Sequence, residues 1–113
     1  MKAINLTRNT DLASNVVLAK GFFKRMKGLL LKKGMMKGEA LLIAPCKGVH
    51  TIGMRFSIDV VFLNKNNEVI ALRKSLRPNQ LTPIYINSLT VLELPAGVIE
   101  ATNTQVGDKI EIA

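Results

Sequence analysis

Short apolar runs separated by turn-forming residues constrain the fold of this chain more than any other feature of its sequence. Each run is rich in β-branched or large apolar residues and has the length of a strand. The runs cover residues 3–8, 13–19, 40–44, 57–63, 68–73, 90–94 and 109–112. The sequence therefore predicts an α+β fold that is mainly antiparallel β, with a small barrel- or sandwich-like sheet packed with one amphipathic helix.

The predicted helix covers residues 22–31. Its apolar side chains fall within one arc of about 120° when successive residues turn by about 100°; they are Phe22, Phe23, Met26, Leu29 and Leu30. A single helix provides too few crossovers for a parallel nucleotide-binding sheet, which is therefore disfavoured. Two turns are also predicted from residue type: 9–11 would join a hairpin of 3–8 with 13–19, and the asparagines of 64–67 tolerate the positive φ of a tight hairpin.

Length and composition indicate a single globular domain over residues 1–113. The chain is 48% hydrophobic and 21% charged, which is typical of a folded protein. Its longest apolar runs fall far short of the roughly 18 residues that cross a bilayer, and its first residues lack the apolar core of a signal peptide. The lone cysteine, Cys46, fits a reducing compartment, so we expect a cytoplasmic protein without a transmembrane segment.

The positive charge is concentrated in the first two-thirds of the chain. The net charge of the chain is +8. Residues 1–77 contain 15 Lys/Arg and four acidic residues, a net charge of +11, whereas residues 78–113 contain one Lys and four acidic residues, a net charge of −3. Lys24, Arg25 and Lys27, in the basic segment 20–37, are candidate ligands for an anion. Nucleic acid is possible but not favoured as a partner, because aromatic residues make up only 4% and no Trp is present to stack on bases.

The stretch from Cys46 to Leu63 contains the only thiol, the only imidazole and a carboxylate. Cys46, His50 and Asp59 are candidates for a nucleophile, a base and an orienting group. An extended chain would separate Cys46 from His50 by about 13 Å, whereas one helical turn would bring them to about 6 Å. Equally, Cys46 is interpreted as a small buried apolar group. A single Cys and a single His make half a tetrahedral site, so no metal and no cofactor are predicted.

Asp59 stands on a strand that is largely apolar on both faces. Ile58, Val60 and Phe62 alternate with Asp59, Val61 and Leu63, and an ionised carboxylate buried there needs a partner. It either pins a loop by accepting backbone hydrogen bonds or anchors the edge of a ligand pocket. The candidate ligand-binding residues are His50, Thr51, Met54, Arg55, Asp59 and Glu93.

Several segments, in order along the chain, resemble the bacterial and archaeal domain of unknown function 192. They are residues 25–30, 38–43 leading into Pro45 and Cys46, 49–63, 92–97 and 107–108. The turn at 64–67 departs from the family, where relatives often have an acidic residue and a glycine. The resemblance implies a compact β-rich fold and a shared site around His50, Thr51, Met54 and Asp59. It implies no activity.

Three functions are compatible with the sequence. The favoured one is a non-catalytic module that binds a small ligand or a protein through a pocket around His50 and Asp59. The second is a hydrolase or acyl-transfer enzyme that uses Cys46, His50 and Asp59; it is less favoured because the catalytic set is incomplete. The third is a nucleic-acid or anionic-surface binder that uses the basic helix of residues 20–37.

Overall fold

The computed structural model describes residues 1–19 and 34–113. Within these residues the chain forms eight strands and one short helix. The strands are β1 (Ala3–Asn5), β2 (Thr10–Ala13), β3 (Asn15–Ala19), β4 (Glu39–Ile43), β5 (Ile58–Leu63), β6 (Val69–Leu76), β7 (Thr90–Pro95) and β8 (Ile110–Ile112), and the helix is α1 (Val98–Ala101). The predicted amphipathic helix at 22–31 lies outside the described residues, as do Lys24, Arg25 and Lys27.

The strands form a three-stranded sheet, in the order β2-β1-β8, and a five-stranded sheet, in the order β3-β4-β7-β5-β6. All pairings are antiparallel except that of β3 with β4, which is parallel. The prediction of a mainly antiparallel β fold is confirmed. The barrel alternative is wrong for the described residues, because β3 and β6 are the two ends of the large sheet and do not pair with each other.

The predicted N-terminal hairpin is only partly correct. The first strand does form a hairpin, but β1 ends at Asn5 and its partner β2 begins at Thr10, within the predicted turn of 9–11. The run at 13–19 divides at Ser14, and its second part enters the other sheet as β3. The backbone N–H groups of Ser14 and Asn15 both donate to the Gly38 carbonyl at 3.0 Å, which turns the chain away from β1. The hairpin turn between β5 and β6 has the predicted asparagine conformation, with Asn67 at φ 58.

Strand β5 separates two apolar clusters, and all six of its residues are buried. On one face, Val61 and Leu63 pack with residues of the small sheet, such as Leu12 and Ile110. On the other face, Ile58, Val60 and Phe62 pack with Val49, Met54 and Val91. These two clusters are called the inter-sheet core and the outer core below. The double burial explains why both faces of this strand are apolar in the sequence.

Candidate binding site

Two connecting segments cover the outer core. Residues 46–54 follow β4 and residues 77–89 precede β7, and they run antiparallel to each other; together they are called the ribbon. Five backbone hydrogen bonds of 2.8–3.0 Å join them. The N–H groups donate from Cys46 to Leu89, from Tyr85 to Lys47, from Thr82 to Val49, from Thr51 to Gln80 and from Asn79 to Thr51. A bridge between His50 and Leu81 lies among these bonds. The ribbon therefore forms a further layer over the large sheet.

Thr51 holds the two halves of the ribbon together at one end. Its side chain is fully buried, and its hydroxyl donates to the Arg77 carbonyl at 2.6 Å and accepts the Gln80 N–H at 3.0 Å. Its backbone carbonyl accepts N–H groups from Met54 and Asn79. Thr51 is thus a structural link in the ribbon, and its hydroxyl is engaged within the protein.

The inner side of the ribbon packs on the sheet. Val49 and Met54 are 5% and 7% exposed and belong to the outer core. The Tyr85 ring lies against that of Phe62, with a centroid separation of 4.5 Å and an interplanar angle of 53°. Met54 therefore fills the core here, and the ribbon is fixed to a rigid support.

The opposite side of the ribbon exposes a row of aliphatic side chains. Leu81 pairs with His50 in the bridge, and Ile84 lies over Gly48, where a Cβ added to the glycine would meet Ile84 Cδ1 at 2.8 Å. Ile52, Leu81, Ile84 and Ile86, called the outer stripe, are 54%, 72%, 69% and 77% exposed. His50 is half-buried beside them. Sequence analysis missed the outer stripe because residues 77–89 have no strand or helix periodicity.

Asp59 lies on the other side of the sheet from the ribbon. It is opposite Leu94 in the β5–β7 ladder, on the face of the inter-sheet core, and is 1% exposed. Its carboxylate accepts three backbone hydrogen bonds, from Ser75 N–H at 2.8 Å, Gly97 N–H at 3.1 Å and Ile99 N–H at 2.8 Å. The loop-pinning interpretation of Asp59 therefore holds, and the structure does not bring Asp59 and His50 into one pocket.

Glu93 is the carboxylate on the ribbon side of the sheet. It pairs with Leu41 of β4 and Val60 of β5, and it is fully buried. Val91, two residues earlier on the same strand, packs in the outer core, so Glu93 faces the same side. Of the two acids proposed as site residues, only Glu93 therefore shares a side of the sheet with His50.

The structure does not wind residues 46–50 into a helical turn. Cys46 is half-buried at the edge of the outer core, its N–H donates to the Leu89 carbonyl at 2.9 Å, and its thiol contacts the Gly48 carbonyl at 3.2 Å. Asp59 is on the far side of the sheet, so the proposed set of Cys46, His50 and Asp59 is not assembled.

Positive charges border the ribbon. Lys47 is exposed, and its ammonium group donates to the Ile86 carbonyl at one end of the outer stripe. Arg55 and Arg77 are exposed near the other end, beyond Met54 and beside Thr51. The sequence contains no acidic residue in 40–58 or in 69–92. The ribbon is therefore a cationic as well as an apolar surface.

Asp108 is a third buried carboxylate, and it lies in the loop before β8. Desolvation acts to raise the pKa of this carboxyl, but hydrogen bonds from Asn5, Arg8 and the Gln105 N–H together lower the pKa below its ordinary value. Its ion pair with Arg8 has an N–O distance of 3.1 Å. Asp108 stabilises the loop before β8 in its ionised form.

One groove lies at the edge between the small sheet and α1. It has a volume of about 430 Å³, and its lining comes from residues 10–14, 37–38, 98 and 101–102. None of the predicted ligand-binding residues lines it. Across residues 1–19 and 34–113, no three His, Cys, Asp or Glu side chains lie together as a metal site would require, and no helix in this part of the chain is long and apolar enough to cross a membrane.

Comparison with known proteins identifies the family. A family model described as uncharacterised ACR proteins, domain of unknown function 192, matches residues 4–112. The chain belongs to this family. A UPF0127 protein of Pyrococcus furiosus is 33% identical over 113 residues, which cover 96% of this chain and 95% of that protein. A UPF0127 protein of Thermococcus sibiricus is 32% identical over 113 residues, which cover 96% of this chain and 72% of that protein.

A solved structure shows the same fold. The crystal structure of a protein of unknown function from Novosphingobium aromaticivorans matches with a TM-score of 0.80 at 18% identity, over 98% of this chain and 82% of that one. The family and its fold are therefore shown. Of the residues that the family resemblance grouped into one site, His50, Thr51 and Met54 lie in the ribbon, while Asp59 lies beneath the sheet.

Proposed function

We propose that this protein is a non-catalytic binding module whose binding surface is the outer face of the ribbon around His50. The observation that carries the proposal is the outer stripe, because its four aliphatic side chains are more than half exposed on one supported layer. Contiguous exposed apolar surface on a soluble domain marks an interaction site more often than a structural need. The sequence predicted a pocket around His50 and Asp59. The binding surface proposed from the structure is instead the exposed face of the ribbon, which contains His50 but not Asp59.

The positions of the candidate catalytic residues favour binding over catalysis. A nucleophile and its base must come within hydrogen-bond reach, with a third group orienting the base. Here the Asp59 oxygens are engaged by three backbone N–H groups on the far side of the sheet, and the Cys46 thiol is directed to a carbonyl. The hydroxyl of Thr51 is likewise used inside the ribbon.

Binding of Nile red, a neutral apolar dye, tests this proposal directly. We expect saturable fluorescence enhancement with the folded protein, and amide chemical-shift changes in the ribbon. Leu81→Ser should weaken dye binding about tenfold, because it removes a large exposed aliphatic group from the centre of the surface. Val106→Ser is the matched control, since Val106 is 63% exposed but lies outside the ribbon, and it should leave dye binding unchanged.

Two results would contradict the proposal. Dye binding that responds equally to Leu81→Ser and Val106→Ser would show that the outer stripe is not a preferred surface. Alkylation of Cys46 faster than that of free cysteine at neutral pH, with the enhancement lost in His50→Ala, would favour the enzyme alternative instead.

A further inference from the structure

We propose that the partner of the ribbon is an anionic lipid surface, with the outer stripe entering the headgroup region and the surrounding cations contacting lipid phosphates. This inference rests on the proposed function and names the class of partner that the same surface would bind. It is carried by two independent features of the ribbon, the exposed aliphatic side chains and the distribution of charge.

The aliphatic feature is suited to a membrane interface. The outer stripe contains only Leu and Ile side chains, and they are more than half exposed on a two-segment ribbon. Insertion into a lipid surface is non-directional and requires only apolar area at the right depth. Protein interfaces instead concentrate their binding energy in Trp, Tyr and Arg anchors, with Leu under-represented.

The charge distribution complements an anionic surface. Lys47, Arg55 and Arg77 are exposed around the outer stripe, and Lys74 is exposed on the adjoining end of β6. Segments 40–58 and 69–92 together contain five Lys/Arg and no Asp or Glu. Each cation held near an anionic leaflet is attracted to it, and the attraction decays within a Debye length.

Three of the exposed acidic residues lie away from the ribbon, which gives the molecule an orientation. Asp11 and Glu111 are exposed on the small sheet, and Glu100 is exposed on α1. The small sheet packs on the face of the large sheet opposite the ribbon. A protein placed with its ribbon on an anionic bilayer would therefore direct these carboxylates away from the lipid.

The ribbon is poorly suited to nucleic acid despite its charge. Tyr85, the aromatic residue of the ribbon, has its ring packed on Phe62 and is unavailable for stacking on a base. The exposed aliphatic side chains have no role against a phosphate backbone. An anionic amphiphile accounts for both features of the surface.

Vesicle co-sedimentation of the full chain tests the inference. The lipids are phosphatidylcholine alone and an equal mixture of phosphatidylcholine and phosphatidylglycerol. We expect at least tenfold stronger partition to the mixed vesicles, in the range that two or three cations near the surface would produce. Raising the NaCl concentration from about 0.1 M to about 1 M should remove most of this preference.

Matched variants separate the two features. Arg55→Gln and Arg77→Gln should each weaken binding to mixed vesicles about fivefold, whereas Lys65→Gln, at an exposed cation in the β5–β6 turn, should leave binding unchanged. Ile84→Ser should weaken binding about tenfold, with Val106→Ser as its control. A reduction by Lys65→Gln as large as that by Arg55→Gln would indicate general surface charge and overturn the inference.

The outcomes also distinguish this inference from the proposed function. Absence of vesicle binding while Nile red still binds at the ribbon overturns the lipid partner alone. Loss of ribbon-specific dye binding overturns both. Equal partition to the two vesicle types would show that the cations do not contribute to binding. Binding of poly-L-glutamate as tight as that of the mixed vesicles would favour an acidic protein as the partner. Either result overturns the inference.

Discussion

Removing the Asp59 carboxylate tests the structural role that the fold assigns to this residue. Asp59 holds two irregular pieces of backbone: Ser75, at φ 49 in β6, and the turn at Gly97 that precedes α1. In Asp59→Ala the N–H groups of Ser75, Gly97 and Ile99 lose their acceptor. The mutation is therefore expected to destabilise the domain without altering the ribbon.

The expected loss in the free energy of unfolding follows from how exposed each of the three N–H donors is. The Ile99 N–H is buried with its residue at 0% exposure, so leaving it unsatisfied costs about 1–3 kcal/mol. Ser75 and Gly97 lie at exposed positions where water replaces part of the lost bond, at about 0.5–1.5 kcal/mol each. The total is about 2–6 kcal/mol, a large part of the roughly 5–15 kcal/mol stability of an average domain.

The isosteric variant Asp59→Asn should have a smaller effect. Its amide oxygen can still accept the N–H groups of Gly97 and Ile99, while its NH₂ group then faces the Ser75 N–H. The hydrogen bond from the Ser75 N–H is lost, and the two remaining hydrogen bonds are made to a neutral acceptor. We therefore expect the free energy of unfolding to fall by about 1–3 kcal/mol.

Urea unfolding followed by circular dichroism measures these free energies. Asp11→Asn serves as the control, since Asp11 is exposed on β2 and its replacement should change the free energy of unfolding by less than about 0.5 kcal/mol. Hydrogen exchange of the Ile99 amide should accelerate most in Asp59→Ala. The reasoning is refuted if Asp59→Ala is no less stable than Asp11→Asn, or if Asp59→Asn is the more damaging of the two substitutions.

Three further predictions concern the ribbon and the buried carboxylate of Asp108. Thr51→Val should cost about 1–3 kcal/mol in urea unfolding, because the Arg77 carbonyl and the Gln80 N–H both lose their hydrogen-bond partner, and Thr51→Ser should restore most of it. Gly48→Ala should cost about 1 kcal/mol, since its Cβ would lie 3.2 Å from the Pro83 carbonyl oxygen and would displace the Ile84 side chain. Gly34→Ala, with nothing within 4 Å, should change the free energy of unfolding by less than about 0.5 kcal/mol. The lowered pKa of Asp108 means that the folded state binds this proton less tightly than the unfolded state. Its stabilisation is full above the ordinary value of 3.8 and is lost as the pH falls through the folded pKa. Asp108→Asn should therefore flatten the loss of unfolding free energy on acidification from about pH 5 down through the folded pKa, which lies below 3.8.

Much of the fold was predictable because it depends on local pattern. The alternation in 57–63 predicts a strand buried on both faces, and β5 is buried along its whole length. The asparagines of 64–67 predict a hairpin turn, and Asn67 adopts the positive φ that such a turn uses. These features depend on side-chain periodicity and on the conformational tolerance of single residues, both of which can be read along the chain.

The site was less predictable because it depends on which side of a sheet each residue faces. Sequence proximity placed Cys46, His50 and Asp59 together, yet the sheet lies between His50 and Asp59. Glu93 is 43 residues from His50 along the chain but lies on the same side of the sheet. No local sequence pattern predicts that two distant residues face the same side of a sheet, because strand order and register arise from contacts between distant segments.

By itself, the sequence determined the short strands, their turns, the excess of positive charge and the requirement that Asp59 find hydrogen-bond donors. The tertiary structure decided which donors those are, and it paired segments 46–54 and 77–89 into a ribbon that leaves the outer stripe exposed. The physical reason is that burial and solvation of a polar group are local demands, whereas the identity of its partner is set by the packing of the whole chain.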